Sequence, residues 1–254
     1  MKIQNYQINT KNTISFSSFY QPVQKLKSGP IVTNNTCFFR LDFSWKEFIA
    51  QIAKRYDKAQ KVNIYSFACS NGAEPFSIAM MLMNRLGEKA KIFLPIKASD
   101  IDEKILEAPR KGKIYLEKID ISEIKSHIGA DYSDFIKHDD NFKFIPDYNK
   151  HKKICEGEVT QKLKNAVEFE QRDITRKLPD ISKENTIIFA RNFWPYLSQQ
   201  NQNNLAKNLS DNIGGNSLIF LGGYDCNYIT APKLLRENGF VNYSDLKACF
   251  KKQT

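Results

Sequence analysis

The chain has 254 residues, 41% of them hydrophobic and 26% charged, with a net charge of +10 at pH 7. That length suits one large domain or two small ones, and the composition is that of ordinary globular material with ample side chains for a core. No apolar run approaches the length of a bilayer span, and "MKIQNYQINTKNT" lacks the apolar centre of a signal peptide. The five cysteines (Cys37, Cys69, Cys155, Cys226, Cys249) have no CxxC or Cys/His spacing. They argue against a disulfide framework or a zinc site and suit a reducing cytosol, so the expected localisation is cytoplasmic with no membrane insertion. The positive charge is spread, with local clusters at Lys150, Lys152, Lys153 and at Lys251, Lys252. A spread excess reads first as solvated surface and second as a docking face for an acidic partner.

Residues 1–30 are polar, with strand-like fragments such as "TISFSSFY", and end at Gly29-Pro30. Residues 45–60 place Trp45, Phe48, Ile49, Ile52, Ala53 and Tyr56 on one helical face. The strand "KVNIYSFAC" follows, then the turn Cys69-Ser70-Asn71-Gly72 and a helix to about Leu86. A second strand, "IFLPIKASD", precedes "DEKILEAPRKG", a short helix disturbed by Pro109. Residues 113–165 are less regular and read as an insertion. Alternation returns with "AVEFEQRD", the buried strand "NTIIFARN", a helix at 198–212, the strand "SLIFLGG" and the helix "APKLLRENG". Strands separated by helices predict an α/β fold with a mostly parallel sheet covered on both faces.

In such a sheet, ligands sit beyond the carboxyl ends of the strands, and the first strand-to-helix turn is the usual cradle. Gly72 is expected to let backbone approach a ligand with no Cβ between them. Pro75 suits the first helical position, which makes Glu74 the expected N-cap. Asp100, 28 residues after Gly72, ends the second strand where an acid can grip the two hydroxyls of a ribose. The chain has neither GxGxxG nor GxxxxGK[ST], the usual marks of a pyrophosphate or triphosphate site. A positively charged nucleoside without phosphate fits better, and S-adenosylmethionine is such a molecule.

Four ordered blocks give this reading a family. "TNNTCFFR" at 33–40, "ACSNGAEPFSIAMML" at 68–82, "ASDIDEKILEAPRKGKIY" at 98–115 and "FARNFWPYLSQQNQNNLAKNL" at 189–209 resemble, in order, four blocks of the CheR-type chemotaxis receptor glutamate methyltransferases. The resemblance implies a Rossmann-like class I S-adenosylmethionine-dependent methyltransferase, with S-adenosylhomocysteine as product and a protein carboxylate as acceptor. It implies cofactor-binding roles for Asn34, Thr36, Arg40, Ala68, Gly72, Glu74, Asp100, Asp173, Ile174, Arg191 and Asn192. Glu74 falls at an acid that meets the methionine part, Asp100 at the ribose acid, and Asp173 with Ile174 at the adenine. Arg40 and Tyr196 fall beside the reactive methyl and are the expected catalytic pair, with no metal. The implied domain runs over 33–254, after a short extension at 1–32, and a small β-subdomain that tethers receptor tails falls at about 113–165. The expected partner is a chemoreceptor or another acidic protein.

The chain also departs from the family. Its first 32 residues do not read as the family's helical, receptor-recognising N-terminal domain. Ala73 replaces the first acid of an E-E-P block, and Asp173 stands for an asparagine. Pro109 enters a helix that is normally unbroken, Pro195 precedes Tyr196, and "GGYD" at 222–225 replaces G-H-S-E. A non-catalytic module that binds S-adenosylmethionine or docks partners is therefore the alternative. Nucleic-acid methylation ranks last, because neither an aromatic-rich RNA motif nor a [DN]-P-P-[FY] tetrapeptide is present.

Overall fold

The computed structural model describes residues 24–25, 31–32, 36–144, 153–181, 185–228, 230–243, 246 and 248–253. The strand-like fragment "TISFSSFY" and Asn34 lie outside the described residues, as does most of the 1–32 extension.

Helix α1 (Trp45–Arg55) buries the predicted stripe Trp45, Phe48, Ile49 and Ile52. Strand β1 (Asn63–Phe67) leads to α2 (Ala73–Leu86), and β2 (Ile96–Asp100) to α3 (Glu103–Arg110). The second strand is shorter than its sequence suggests, because 87–93 wind into 3₁₀ turns. Strands β3 (Lys113–Leu116), β4 (Ile136–His138) and β5 (Lys153–Val159), with α4 (Lys118–Ile128) among them, come next. The chain returns through β6 (Val167–Gln171), β7 (Thr186–Phe189), α5 (Gln199–Asn212) and β8 (Leu218–Phe220). It closes with α6 (Gly223–Asn227), α7 (Thr230–Glu237), β9 (Phe240–Asn242) and β10 (Cys249–Lys252).

Seven strands form the main sheet in the order β9-β10-β8-β7-β1-β2-β6. Five run parallel, and only β10 is reversed against both of its neighbours. Successive side chains of a strand point to opposite faces, and here they feed two cores. Ile64, Ile187, Phe189, Leu218 and Phe220 join α1 and α2 on one face. Tyr65, Phe67, Ile188, Ala190, Ile219 and Leu221 join α5 and α7 on the other. This explains the near-continuous apolar runs, which a sheet buried on both faces demands. The sequence reading missed β9 and β10, which are too short to carry a periodic pattern.

Within residues 113–159 the strands β3, β5 and β4 build a separate antiparallel sheet, to which Lys143–Phe144 adds a short pairing with β5. Its polar helix α4 is started by a capping box between Glu117 and Asp120, a signal that its weak apolar periodicity hides.

Candidate active site

The turn after β1 is forced into left-handed backbone three times, at Ala68 (φ 50°), Ser70 (φ 52°) and Gly72 (φ 85°). A Cβ on Gly72 would lie 3.0 Å from both the Phe169 ring and Pro109. Glycine is required here by backbone sign and by the packing of Phe169 and Pro109 in the direction a Cβ would take. Gly72, not Glu74, is the N-cap of α2, and Pro75 is its third residue. A proline there still removes only an N–H that the first turn leaves unused. Glu74 lies one residue inside, at the end of the helix that favours an anion. Its Oε1 accepts from Ser66 Oγ at 2.8 Å.

Asp100 ends β2 and is only 5% exposed. Its carboxylate accepts from the Ser70 N–H at 2.7 Å and the Asp102 N–H at 3.0 Å. Burial raises its pKa against the pull of these backbone N–H groups. The Ile101 N–H adds a third pull on the carboxylate. The Ser70 hydroxyl, in the turn that meets Asp100, is buried with no hydrogen-bond partner among the described residues, and so is that of Ser99, which strand alternation turns to the other face. An orphaned hydroxyl beside a buried carboxylate is what a bound polyol would satisfy.

Arg191, at the tip of β7, has a side chain only 1% exposed. Nη1 donates to Glu74 Oε2 at 2.9 Å and Nη2 to Asp42 Oδ1 at 2.6 Å, while the guanidinium lies 4.7 Å from the Phe43 ring centre. Asp42 Oδ2 also accepts from the Gly223 N–H at 2.9 Å and, at 3.4 Å, from Asn192 Nδ2. Burial alone would raise the Asp42 pKa, but Arg191, the Gly223 N–H and Arg40 carry it below the usual carboxylate value. Behind this network Asp225 accepts from the Gly222 N–H at 2.9 Å and the Trp194 N–H at 3.1 Å, and also from the Asn192 N–H. Burial nonetheless pushes its carboxyl up to about 6.

The structure brings Arg40, Glu74, Arg191 and Asn192 around Asp42. Segment 36–40 is held there by its backbone: the Phe38 N–H donates to Asp120 Oδ1 at 2.9 Å and the Phe39 N–H to Ser77 Oγ at 3.0 Å. Thr36 lines a narrow cleft with Cys37, Asn71 and Ala73. Tyr196, in the short turn Trp194–Tyr196, stacks on Tyr224 with ring centres 5.8 Å apart, and the Tyr224 N–H donates to Asn192 Oδ1 at 3.2 Å. Ala68 and Gly72 flank Ser70 in the turn that meets Asp100. Asp173 stands further off. Its Oδ1 accepts from the N–H and hydroxyl of Thr175 at 3.0 and 2.6 Å, and its Oδ2 lies 3.2 Å from Arg176 Nε. Ile174 is 7% exposed and belongs to the core that holds Tyr65 and Phe67. Sequence reasoning missed Asp42, two residues past Arg40, and the role of Asp225. A buried arginine needs counter-charges, but no spacing rule says where in the chain they lie.

The CheR methyltransferase SAM-binding domain matches residues 34–227. A chemotaxis protein methyltransferase of Borreliella burgdorferi is 29% identical over 203 residues, covering 76% of this chain and 64% of the relative. Chemotaxis protein methyltransferase 2 of Pseudomonas aeruginosa is 29% identical over 224 residues, covering 87% and 73%. Among solved structures, a TehB-like SAM-dependent methyltransferase from Corynebacterium glutamicum aligns with a TM-score of 0.38 at 11% identity, covering 82% of this chain and 94% of that one. The family match spans most of the chain and contains every described element of the crevice, so the chain belongs to the CheR methyltransferase family through its SAM-binding domain.

Proposed function

We propose that the chain transfers a methyl group from S-adenosylmethionine to a side-chain carboxylate of a protein substrate. The observation that carries this reading is the charge of the crevice. Glu74, Asp100, Asp42 and Asp225 gather at strand tips in a chain whose net charge is +10, with Arg40 and Arg191 as the opposing cations. An acidic crevice in a basic protein selects a cation, and a phosphate-bearing cofactor would be repelled.

When bound, S-adenosylmethionine supplies a methyl group on a sulfonium sulfur. Asp100 would accept the ribose hydroxyls, with Ser70 beside it. Glu74 would take the amino group of the methionine part, held in place by Ser66 and Arg191. Asp173 and Ile174 would meet the adenine. An acceptor glutamate is already ionised near neutral pH, so no general base is needed. The protein's work is alignment and exclusion of water from the nucleophile. Arg40 suits that alignment because a guanidinium fork matches a carboxylate, and the Tyr196 hydroxyl can add a donor.

The test is calorimetry with S-adenosylmethionine, followed by transfer of a tritiated methyl group to protein in cell lysate. Label released as volatile methanol in base identifies a carboxyl methyl ester and supports the reading. Binding without transfer would select the second reading, a cofactor-binding module, which the departures from the family at Ala73 and Pro195 favour. Absence of binding would sink both.

A further inference from the structure

The mouth of the crevice carries a rim that the reaction above does not use. Among the described residues only five large apolar side chains are exposed, and three of them, Leu41 (70%), Tyr224 (38%) and Tyr228 (56%), stand at this site. Leu41 separates Arg40 from Asp42. A Cβ on Gly223 would lie 3.4 Å from Asp42 Cβ, and Leu41 and Tyr224 are the chain neighbours of these two residues. The Tyr224 ring stacks on Tyr196 and meets Tyr228 edge-on at 4.8 Å, with the two hydroxyls 3.2 Å apart. One hydrogen bond joins those hydroxyls, and the exposed ring faces are the apolar surface that the rim offers a partner. Exposed aromatic surface of this kind marks a contact site.

Charge decides what the contact site prefers. Both ends of the Arg191 fork are taken by Glu74 and Asp42, and Asp225 lies behind. Two guanidinium groups therefore face three carboxylates, and the mouth is not positive despite the basic chain. A segment crowded with acids would meet Asp42 at close range. A single carboxylate carried among apolar side chains would bring one charge to Arg40 and lay its neighbours on the rings.

We propose that Leu41, Tyr224 and Tyr228 form the acceptor-binding rim and select carboxylates flanked by apolar residues over carboxylates set among other acids. This rests on the carboxylate-methylation reading and names its substrate class.

The experiment uses the full chain and two synthetic peptides, one with a central glutamate among leucine and alanine, the other with it among aspartates. Binding is read by fluorescence anisotropy with S-adenosylhomocysteine present, and transfer separately with labelled S-adenosylmethionine. The apolar-flanked peptide should bind about tenfold more tightly, as burial of one or two ring faces implies, and its affinity should change little with salt. The double variant Tyr224→Ser, Tyr228→Ser should abolish that preference while its melting temperature and S-adenosylhomocysteine affinity hold. Tyr224→Phe, which keeps the ring, should retain it. Tighter binding of the acidic peptide, or a preference that survives the double variant, overturns the proposal. Selective binding of the apolar peptide with no label transferred would support the rim and overturn the methylation reading instead.

Discussion

Around Arg191, carboxylates from two distant parts of the chain meet the guanidinium within hydrogen-bonding distance; around Gly72, a ring and a proline press on the turn where a Cβ would lie. The first wall is ionic and largely buried, with Arg191 1%, Glu74 13% and Asp42 31% exposed. The second is steric, set by backbone signs and by the fit of Phe169 and Pro109 against the turn. A buried charge network tolerates no missing member, because each removal strands the partners in a poor solvent. A steric wall fails gradually, since a ring can shift by a few tenths of an ångström. The two walls should therefore respond differently to substitution.

The largest effect belongs to the ionic wall. Arg191→Ala leaves Glu74 and Asp42 without their shared cation, and should destabilise the fold by about 3–5 kcal/mol. Chemical denaturation measures it; a loss below about 1 kcal/mol would mean that the network contributes no more than a solvent-exposed ion pair. Next comes Asp100→Ala, on the other wall. It removes a charged acceptor and should weaken S-adenosylmethionine binding by about one to two orders of magnitude, as the worth of a charged hydrogen bond implies. Calorimetry with a wild-type dissociation constant would contradict the ribose role of Asp100.

Much of the steric wall was legible in the sequence and little of the ionic one. Gly72 and Asp100 stand at the tips of two successive strands, and period and spacing lead directly to them. Even there the sequence does not reveal that Phe169, from a strand 97 residues further on, packs where a Cβ of Gly72 would lie. The Arg191 fork joins residues 149 and 117 positions apart. Family blocks pointed to Arg191 and Glu74 but not to Asp42, whose role depends on how segment 36–40 is tied to α2 and α4. The inserted sheet was likewise weakly signalled, since β3 and β4 are only four and three residues long and pair through β5.

Gly72→Ala separates packing from ligand clearance. A left-handed residue with a Cβ costs about 1–2 kcal/mol, and contacts at 3.0 Å add to it unless Phe169 yields. The expected outcome is a lowered melting temperature with cofactor affinity reduced only modestly. Adding Phe169→Leu should recover part of the stability. A variant that melts normally yet binds no S-adenosylmethionine would support the reading in which the glycine makes room for ligand.

The smallest expected effect contrasts two acids within the ionic wall itself. Asp225 has its pKa raised by burial from an ordinary value of 3.8 to about 6, so between those values the folded state holds a proton that the unfolded chain has released. Its contribution to stability is complete below the unfolded value and is lost as pH rises through about 6. Asp42 behaves in the opposite sense: its pKa is lowered, so its contribution is present above the unfolded value and is lost as pH falls. Asp225→Asn cannot titrate, though its amide is a poorer match for the N–H groups of Gly222, Trp194 and Asn192. The absolute stability of that variant is therefore not the readout. The difference between wild type and variant, followed by urea denaturation from about pH 4 to pH 7, should shrink as pH rises, because only the wild type surrenders the Asp225 term. A difference that stays constant across the range would place the Asp225 carboxylate in a site as well solvated as the unfolded chain, which its 1% exposure argues against.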